Sequence, residues 1–209
     1  MGAKTLQAHP RYVRDAHGVP TPDPAVPPPA GRLFVAEKAA SAGGEVATPR
    51  ARVSDEVGAV SVSNGIGFSP DGRTLYYVDS PAKCVFAFDV DDAAAALSNK
   101  RVFSDVSLFA PPGAVPDGLA VDAEGCVWVA LWDGGAVARL STAGALLATV
   151  QMPVSRPTSL AFGAGRSLYI TSCSFDVGDD APLDEPLAGA VFLIDDVGVA
   201  GAPVPRCRI

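Results

Sequence analysis

Two dipeptides place an oxygen-bearing side chain beside a glycine at corresponding points of a repeated pattern. One is Asn64-Gly65 in SNGIGFSPDGRTLYYVDS, and the other is Asp117-Gly118 in VPDGLAVDAEGCVWVALWDGG. An amide oxygen and a carboxylate brought to one point form a hard ligand set. It suits calcium, magnesium or manganese, and zinc where softer donors are lacking. A divalent cation polarises an ester carbonyl and lowers the pKa of a bound water, and a carboxylate beside it serves as general base. Those parts suffice to hydrolyse an activated ester such as a lactone. The competing reading is that both side chains cap strand entries by bonding backbone N–H groups, as Asn and Asp commonly do.

The spacing selects these residues from the many Asn and Asp of the chain. A weaker copy of the pattern runs from Thr158, TSLAFGAGRSLYITSC, and a degraded one from Asp23, DPAVPPPAGRLFVAEK. The turn glycines Gly31, Gly72, Gly125 and Gly165 are separated by 41, 53 and 40 residues, the length of a four-stranded propeller blade. Counting eight residues back from the first three gives Asp23, Asn64 and Asp117. The fourth copy has a turn one residue shorter, and its counterpart is Thr158. The four positions are expected to be equivalent, each just before the innermost strand of a blade, where they line one mouth of a central channel. Asp71 and Glu124 sit in the hairpin turns themselves, where Asp-Gly and Glu-Gly are turn chemistry.

The elements that must hold these residues are β throughout. Short runs rich in Val, Tyr, Phe and Trp are punctuated by Gly, Pro and Asp. Inner strands are expected at 32–38, 74–79, 126–132 and 167–173, second strands at 85–90, 136–140 and 191–194, and outer strands at 101–106 and 146–152. The helix-like DAAAALS at 92–98 reads as a hairpin excursion. No alternation of strand and long helix supports a βαβ fold. Residues 1–30 carry six prolines between Pro20 and Pro29 and read as a poorly structured N-terminal segment, since proline cannot donate to a ladder. Residues 31–209 read as a partial β-propeller domain.

Bulk properties exclude several classes. The formal charge is -7 with no Lys/Arg cluster, which argues against a nucleic-acid partner. No apolar run approaches the roughly 20 residues of a membrane span, and the N-terminus lacks the apolar core of a signal peptide, so a cytoplasmic location is expected. Cys84, Cys126, Cys173 and Cys207 show no CxxC spacing, so neither a zinc site nor a disulfide framework is indicated. Cys126 and Cys173 fall near matching strand positions as small core fillers, Trp128 reads as packing, and Trp132, next to Asp133-Gly134-Gly135, reads as packing with a place at the channel mouth as the alternative. His9 and His17 have no partner in view, and a serine-hydrolase triad is not indicated. The acidic run at 176–185 reads as a solvated loop.

VSNGIGFSPDGRTLYYVDS, then FDVD, then VPDGLAVDAEGCVWVALWDGGAVARL, resembles the regucalcin (senescence marker protein)/gluconolactonase family. The later stretches SLAFG, LYITSC and GAVFLIDDVGVAG fit as well, and AGRLFVAEKA more loosely. The resemblance covers roughly residues 30–205. It implies an all-β, six-bladed β-propeller, of which about four blades are present here, with one divalent metal ion (calcium, zinc, magnesium or manganese) in the channel. The family's asparagine in SNG and aspartate in PDG map onto Asn64 and Asp117, with Asp117 also the general base. The substrate implied is a sugar-acid lactone, and the activity that of a hydrolase on carboxylic esters.

Three departures accompany the resemblance. The family's glutamate ligand, in a GEGP-type motif, has no counterpart here, so the chain reads as shortened at its N-terminus and its activity as impaired. The family's substrate-binding asparagine falls on Asp23, which remains a candidate substrate contact. Its arginine falls on Thr21, which cannot replace a guanidinium. The alternative reading is a non-catalytic calcium-binding or interaction propeller.

Overall fold

The computed structural model describes the backbone of 12–14, 20–22, 33–37 and 50–54, and both backbone and side chains of 57–58, 60–91, 96–174 and 185–203. The early strands form two short antiparallel ribbons. β1 (Tyr12–Arg14) pairs with β2 (Pro20–Pro22), and β3 (Leu33–Glu37) pairs with β4 (Arg50–Ser54). Asp23, His9, His17 and Gly31 lie outside the described residues, as do 92–95 and 175–184.

Three consecutive antiparallel blades follow. The first runs β5 (Ser63–Phe68), β6 (Thr74–Asp79), β7 (Cys84–Asp91) and β8 (Ala96–Asp105), in that spatial order. The second runs β9 (Val115–Val121), β10 (Val127–Trp132), β11 (Ala136–Leu140) and β12 (Leu146–Gln151). The third has three strands: β13 (Pro157–Phe162), β14 (Leu168–Ser172) and β15 (Val191–Ile194). This is the partial propeller expected from the repeat. The hairpin turns β5–β6, β9–β10 and β13–β14 turn on Gly72, Gly125 and Gly165, all with positive φ, which glycine adopts without a Cβ penalty. Among the described residues no helix is long and apolar enough to cross a membrane.

The strand assignment needs one correction. Segments 74–79, 126–132 and 167–173, expected innermost, are the second strands, and β5, β9 and β13 are innermost. The reason is burial on both faces. Along β10, Val127, Val129 and Leu131 pack with Tyr76, Val78 and Val85 of the first blade, while Trp128 and Ala130 pack with Leu160, Leu168 and Ile170 of the third. A strand buried on both sides reads as a continuous apolar run, so these segments are the most apolar without being the innermost. Strand β8 also starts earlier than expected. Ala96–Ser98 pair with Asp91–Asp89, and Leu97 enters the cluster with Leu75, Tyr77 and Phe88. The cysteines differ too: Cys126 immediately precedes β10 and Cys173 immediately follows β14, so they occupy opposite ends of their strands.

One buried carboxylate ties the second blade together. Asp122, at 0% exposure, accepts from the backbone N–H of Glu124 (3.0 Å) and Cys126 (2.9 Å). It also accepts from Trp128 Nε1 (2.9 Å) and from Arg139 Nε and Nη2 (2.9 and 2.7 Å). The C-terminal segment closes on the same corner, with Ala123 N–H donating to Ala200 O and Ala202 N–H to Val121 O. Removing one member of such a network leaves a buried charge without its partners. Asp122→Ala should therefore cost about 3–5 kcal/mol of unfolding free energy in urea titration. A loss below about 1 kcal/mol would contradict the assignment of Asp122 as the fastening of this blade.

Candidate cation and catalytic site

The candidate residues lie inside the innermost strands, not before them, and each sits on a register break. On β5, Ser63 pairs with Asp79 and Ile66 with Tyr77, so Asn64 and Gly65 oppose Val78 alone. On β9, Leu119 pairs with Val129 and Pro116 with Leu131, so Asp117 and Gly118 oppose Ala130 alone. On β13, Pro157 pairs with Ser172 and Ser159 with Thr171, leaving Thr158 as the extra residue. A β-bulge adds one residue and re-aims its side chain. Three bulges in consecutive blades thus turn Asn64, Asp117 and Thr158 off the regular in-out alternation at the same level of the fold.

The glycines after Asn64 and Asp117 are required by proximity rather than by turn geometry. A Cβ on Gly65 would lie 2.6 Å from Leu119 N and 2.7 Å from Asp117 O, both backbone atoms of the next innermost strand. A Cβ on Gly118 would lie 2.7 Å from Ser159 Cα and 2.5 Å from Ser159 Oγ. Neighbouring blades therefore touch through bare backbone at this level, and that contact brings the side chains together.

The Asn64 side chain spans two blades. Its amide nitrogen donates to Ser80 Oγ at 3.2 Å, and its side chain comes close enough to the Asp117 carboxyl to oppose the rise of its pKa. A carboxylate only accepts, so the amide N–H side of Asn64 is the one that favours ionised Asp117. Asp117 is half-buried. Desolvation pushes its carboxyl up from an ordinary 3.8 to about 6, against the opposing pull of the nearby Asn64 amide and Gly118 N–H. The donors present are hard and oxygen-based, which fits a calcium-, magnesium- or manganese-like ion better than zinc. The competing reading, that Asn64 and Asp117 merely cap strand entries, does not account for their convergence from two adjacent bulged strands.

Another acidic group is excluded by its bonding. Among the described residues Asp122, Glu124 and Cys126 bring ligand atoms within 4.8 Å of one another. Asp122, however, already accepts five hydrogen bonds, and Glu124 accepts from Arg139 at 2.6 Å. Asp71 behaves as turn chemistry, taking bonds from Ser69 Oγ (2.6 Å) and Arg73 N–H (3.1 Å). Trp128 is buried, meets Phe162 edge-on and donates to Asp122. Trp132 is covered by Arg156, whose guanidinium carbon lies 4.9 Å from the ring centroid and whose Nε bonds Asp133. Glu185, at the end of the acidic run, accepts from Ser155. Beyond the pair, toward the Gly72 and Gly125 turns, a cavity of ≈ 630 Å³ is lined by Ile66, Phe68, Leu119, Leu160, Phe162 and Gly201.

The sequence pattern missed Ser80 and Thr171. Ser80 immediately follows β6 and Thr171 lies near the end of β14, and no spacing within one strand links them to the innermost strand they serve.

Much of the chain is similar to known proteins. Residues 26–174 match the model of the SMP-30/Gluconolactonase/LRE-like region. The chain is 40% identical to regucalcin of Danio rerio over 147 residues, covering 69% of this chain and 49% of that protein. It superposes on a luciferin-regenerating enzyme with a TM-score of 0.65 at 30% identity, covering 74% of this chain and 52% of that one. It superposes on a calcium-binding protein, regucalcin, from Agrobacterium tumefaciens with a TM-score of 0.63 at 29% identity, covering 73% and 50%. The chain spans about half the length of the relatives it matches.

Two outcomes follow from the geometry. Gly65→Ala drives a methyl into backbone atoms that cannot swing aside, so it should lower unfolding free energy by about 1–3 kcal/mol in urea titration; a neutral variant would mean the strands are not in contact there. Asp117 holds its proton more tightly folded than unfolded, so its contribution to stability rises as pH falls from about 6 toward 3.8. In chelator, Asp117→Asn should melt above the parent protein at pH 7, and the gap should shrink on acidification. A gap constant with pH would show that the carboxyl is not desolvated.

Proposed function

The chain belongs to the SMP-30/gluconolactonase/LRE-like family, and on that premise we propose that it is a divalent-metal-dependent lactonase hydrolysing a sugar-acid lactone. Asn64 and Asp117 are the metal ligands, and Asp117 is also the general base. The observation that carries this reading is the convergence of Asn64 and Asp117 on two adjacent bulged strands that touch backbone to backbone, with the Asp117 carboxyl pushed up to about 6.

The roles follow from that pairing. When bound, the cation supplies Lewis-acid polarisation of the ester carbonyl. Asn64 offers Oδ1 while its amide nitrogen is held by Ser80 Oγ. Asp117 is largely ionised at neutral pH, yet basic enough to accept a proton, which is the compromise a general base needs. Partial burial keeps water from screening the carboxylate. Asp23, the counterpart position in the preceding copy, is assigned to substrate contact by its match to the family's substrate-binding asparagine.

A second reading is a calcium-binding propeller without turnover. It is favoured by the ligand count, since one carboxylate and one amide give a cation few protein oxygens. Calorimetric titration with calcium and manganese, run beside pH-stat assays on glucono-δ-lactone, separates the two. Cation binding without turnover selects the second reading, and absence of both defeats each. Under the lactonase reading Asp117→Ala abolishes turnover, and Asn64→Ala weakens cation affinity on the order of tenfold or more. Protons compete with the cation for Asp117, so affinity should fall on acidification below about pH 6 and level off above it. A pH-independent affinity would remove Asp117 from the ligand set.

A further inference from the structure

We propose that Thr158 is a specificity residue whose hydroxyl oxygen accepts a hydrogen bond from a hydroxyl group of the substrate. The inference rests on the lactonase reading and names the part of the substrate that the third blade recognises.

The argument is one of position and of hydrogen counting. Thr158 occupies the third of the three bulges, in register with Asn64 and Asp117. The residue after it, Ser159, abuts Gly118, which follows Asp117. Thr158 Oγ1 lies 2.7 Å from Thr171 Oγ1, and the Thr171 hydroxyl donates to the Ser159 carbonyl at 3.3 Å. A hydroxyl has one hydrogen. The hydrogen of Thr171 is engaged by Ser159, so Thr158 donates the bond between the two threonines. Thr158 Oγ1 is left with lone pairs and no hydrogen to offer.

The neighbouring hydroxyl is committed differently. Ser172 Oγ donates to Ala190 O at 2.8 Å and accepts from Gly189 N–H at 3.0 Å. The third bulge therefore presents an oriented acceptor, held by Thr171, beside the residue pair that would act on the ester. An acceptor of this kind discriminates for substrate O–H groups and gives nothing to a bare methylene ring. The matching substrate is a polyhydroxylated lactone, and the disfavoured one is an unsubstituted lactone of the same ring size.

Thr158→Val keeps the β-branched shape and removes the acceptor. With the full chain and saturating calcium, the ratio of kcat/KM for glucono-δ-lactone over δ-valerolactone should fall on the order of tenfold, carried by KM. Thr158→Ser should restore it. An unaltered ratio, or a loss carried by kcat alone, overturns the proposal. Saturation-transfer NMR with sorbitol reads hydroxyl contact without turnover, which separates this inference from the lactonase reading. Transfer to sorbitol that Thr158→Val abolishes supports the acceptor role even in a chain that turns over no lactone. Transfer equal in both proteins overturns it.

Discussion

Backbone-to-backbone contact between the innermost strands is the constraint from which the site follows. Gly65 lies against Leu119 and Asp117, and Gly118 lies against Ser159, at distances that leave no room for a Cβ. Each contact closes one blade onto the next at the level of a β-bulge. The bulge and the glycine act together. The extra residue turns the Asn or Asp side chain out of the sheet's alternation, and the missing Cβ lets the next blade come near enough to meet it. Without the glycine, Asn64 would be held away from Asp117. Without the bulge, it would point into a blade interface already filled by Val78 and Leu119.

Part of this was legible in the sequence, for a physical reason. The repeat phase selected Asn64, Asp117 and Thr158 because hairpin turns on positive-φ glycines fix the count of residues between a turn and the opposite strand end. What misled was the apolar content of each strand. VWVALW is the most apolar stretch because β10 is covered on both faces, yet it is the second strand. SNGIGF is short of large residues because its neighbour approaches so closely, yet it is innermost. Asn-Gly and Asp-Gly are strong hairpin-turn signals, and here they mark interior strand positions where backbone meets backbone. Nothing in one strand's sequence distinguishes the two uses. Partners supplied across the sheet, Ser80 and Thr171, were invisible for the same reason.

The two aspartates of the second blade show how environment separates structural from chemical roles. Asp122 and Asp117 are five residues apart on one hairpin. Asp122 is fully buried with five donors, among them both guanidinium contacts of Arg139, so no lone pair remains for a ligand. Asp117 loses water without gaining a cation. The pull of the nearby Asn64 amide and Gly118 N–H does not offset the desolvation, and its carboxyl rises to about 6. A group left under-compensated in this way is where added positive charge has most to gain. Proximity of acidic atoms alone would have chosen Asp122, Glu124 and Cys126, while counting donors around each carboxylate chooses Asp117.

The third blade tests how far the site depends on the whole ring. Leu168 and Ile170 face the second blade and are buried, while Tyr169, Val191 and Leu193, on the other face, are 45%, 65% and 50% exposed. One covered face is enough to set β13 in register with β14 and to produce its bulge at Thr158. The same holds at the site's centre: Asn64 meets Asp117 through contacts between two blades only. Geometry at each bulge is thus a property of adjacent blades, not of ring closure. That locality explains how a chain spanning half the length of its relatives holds the Asn–Asp pair in a defined arrangement.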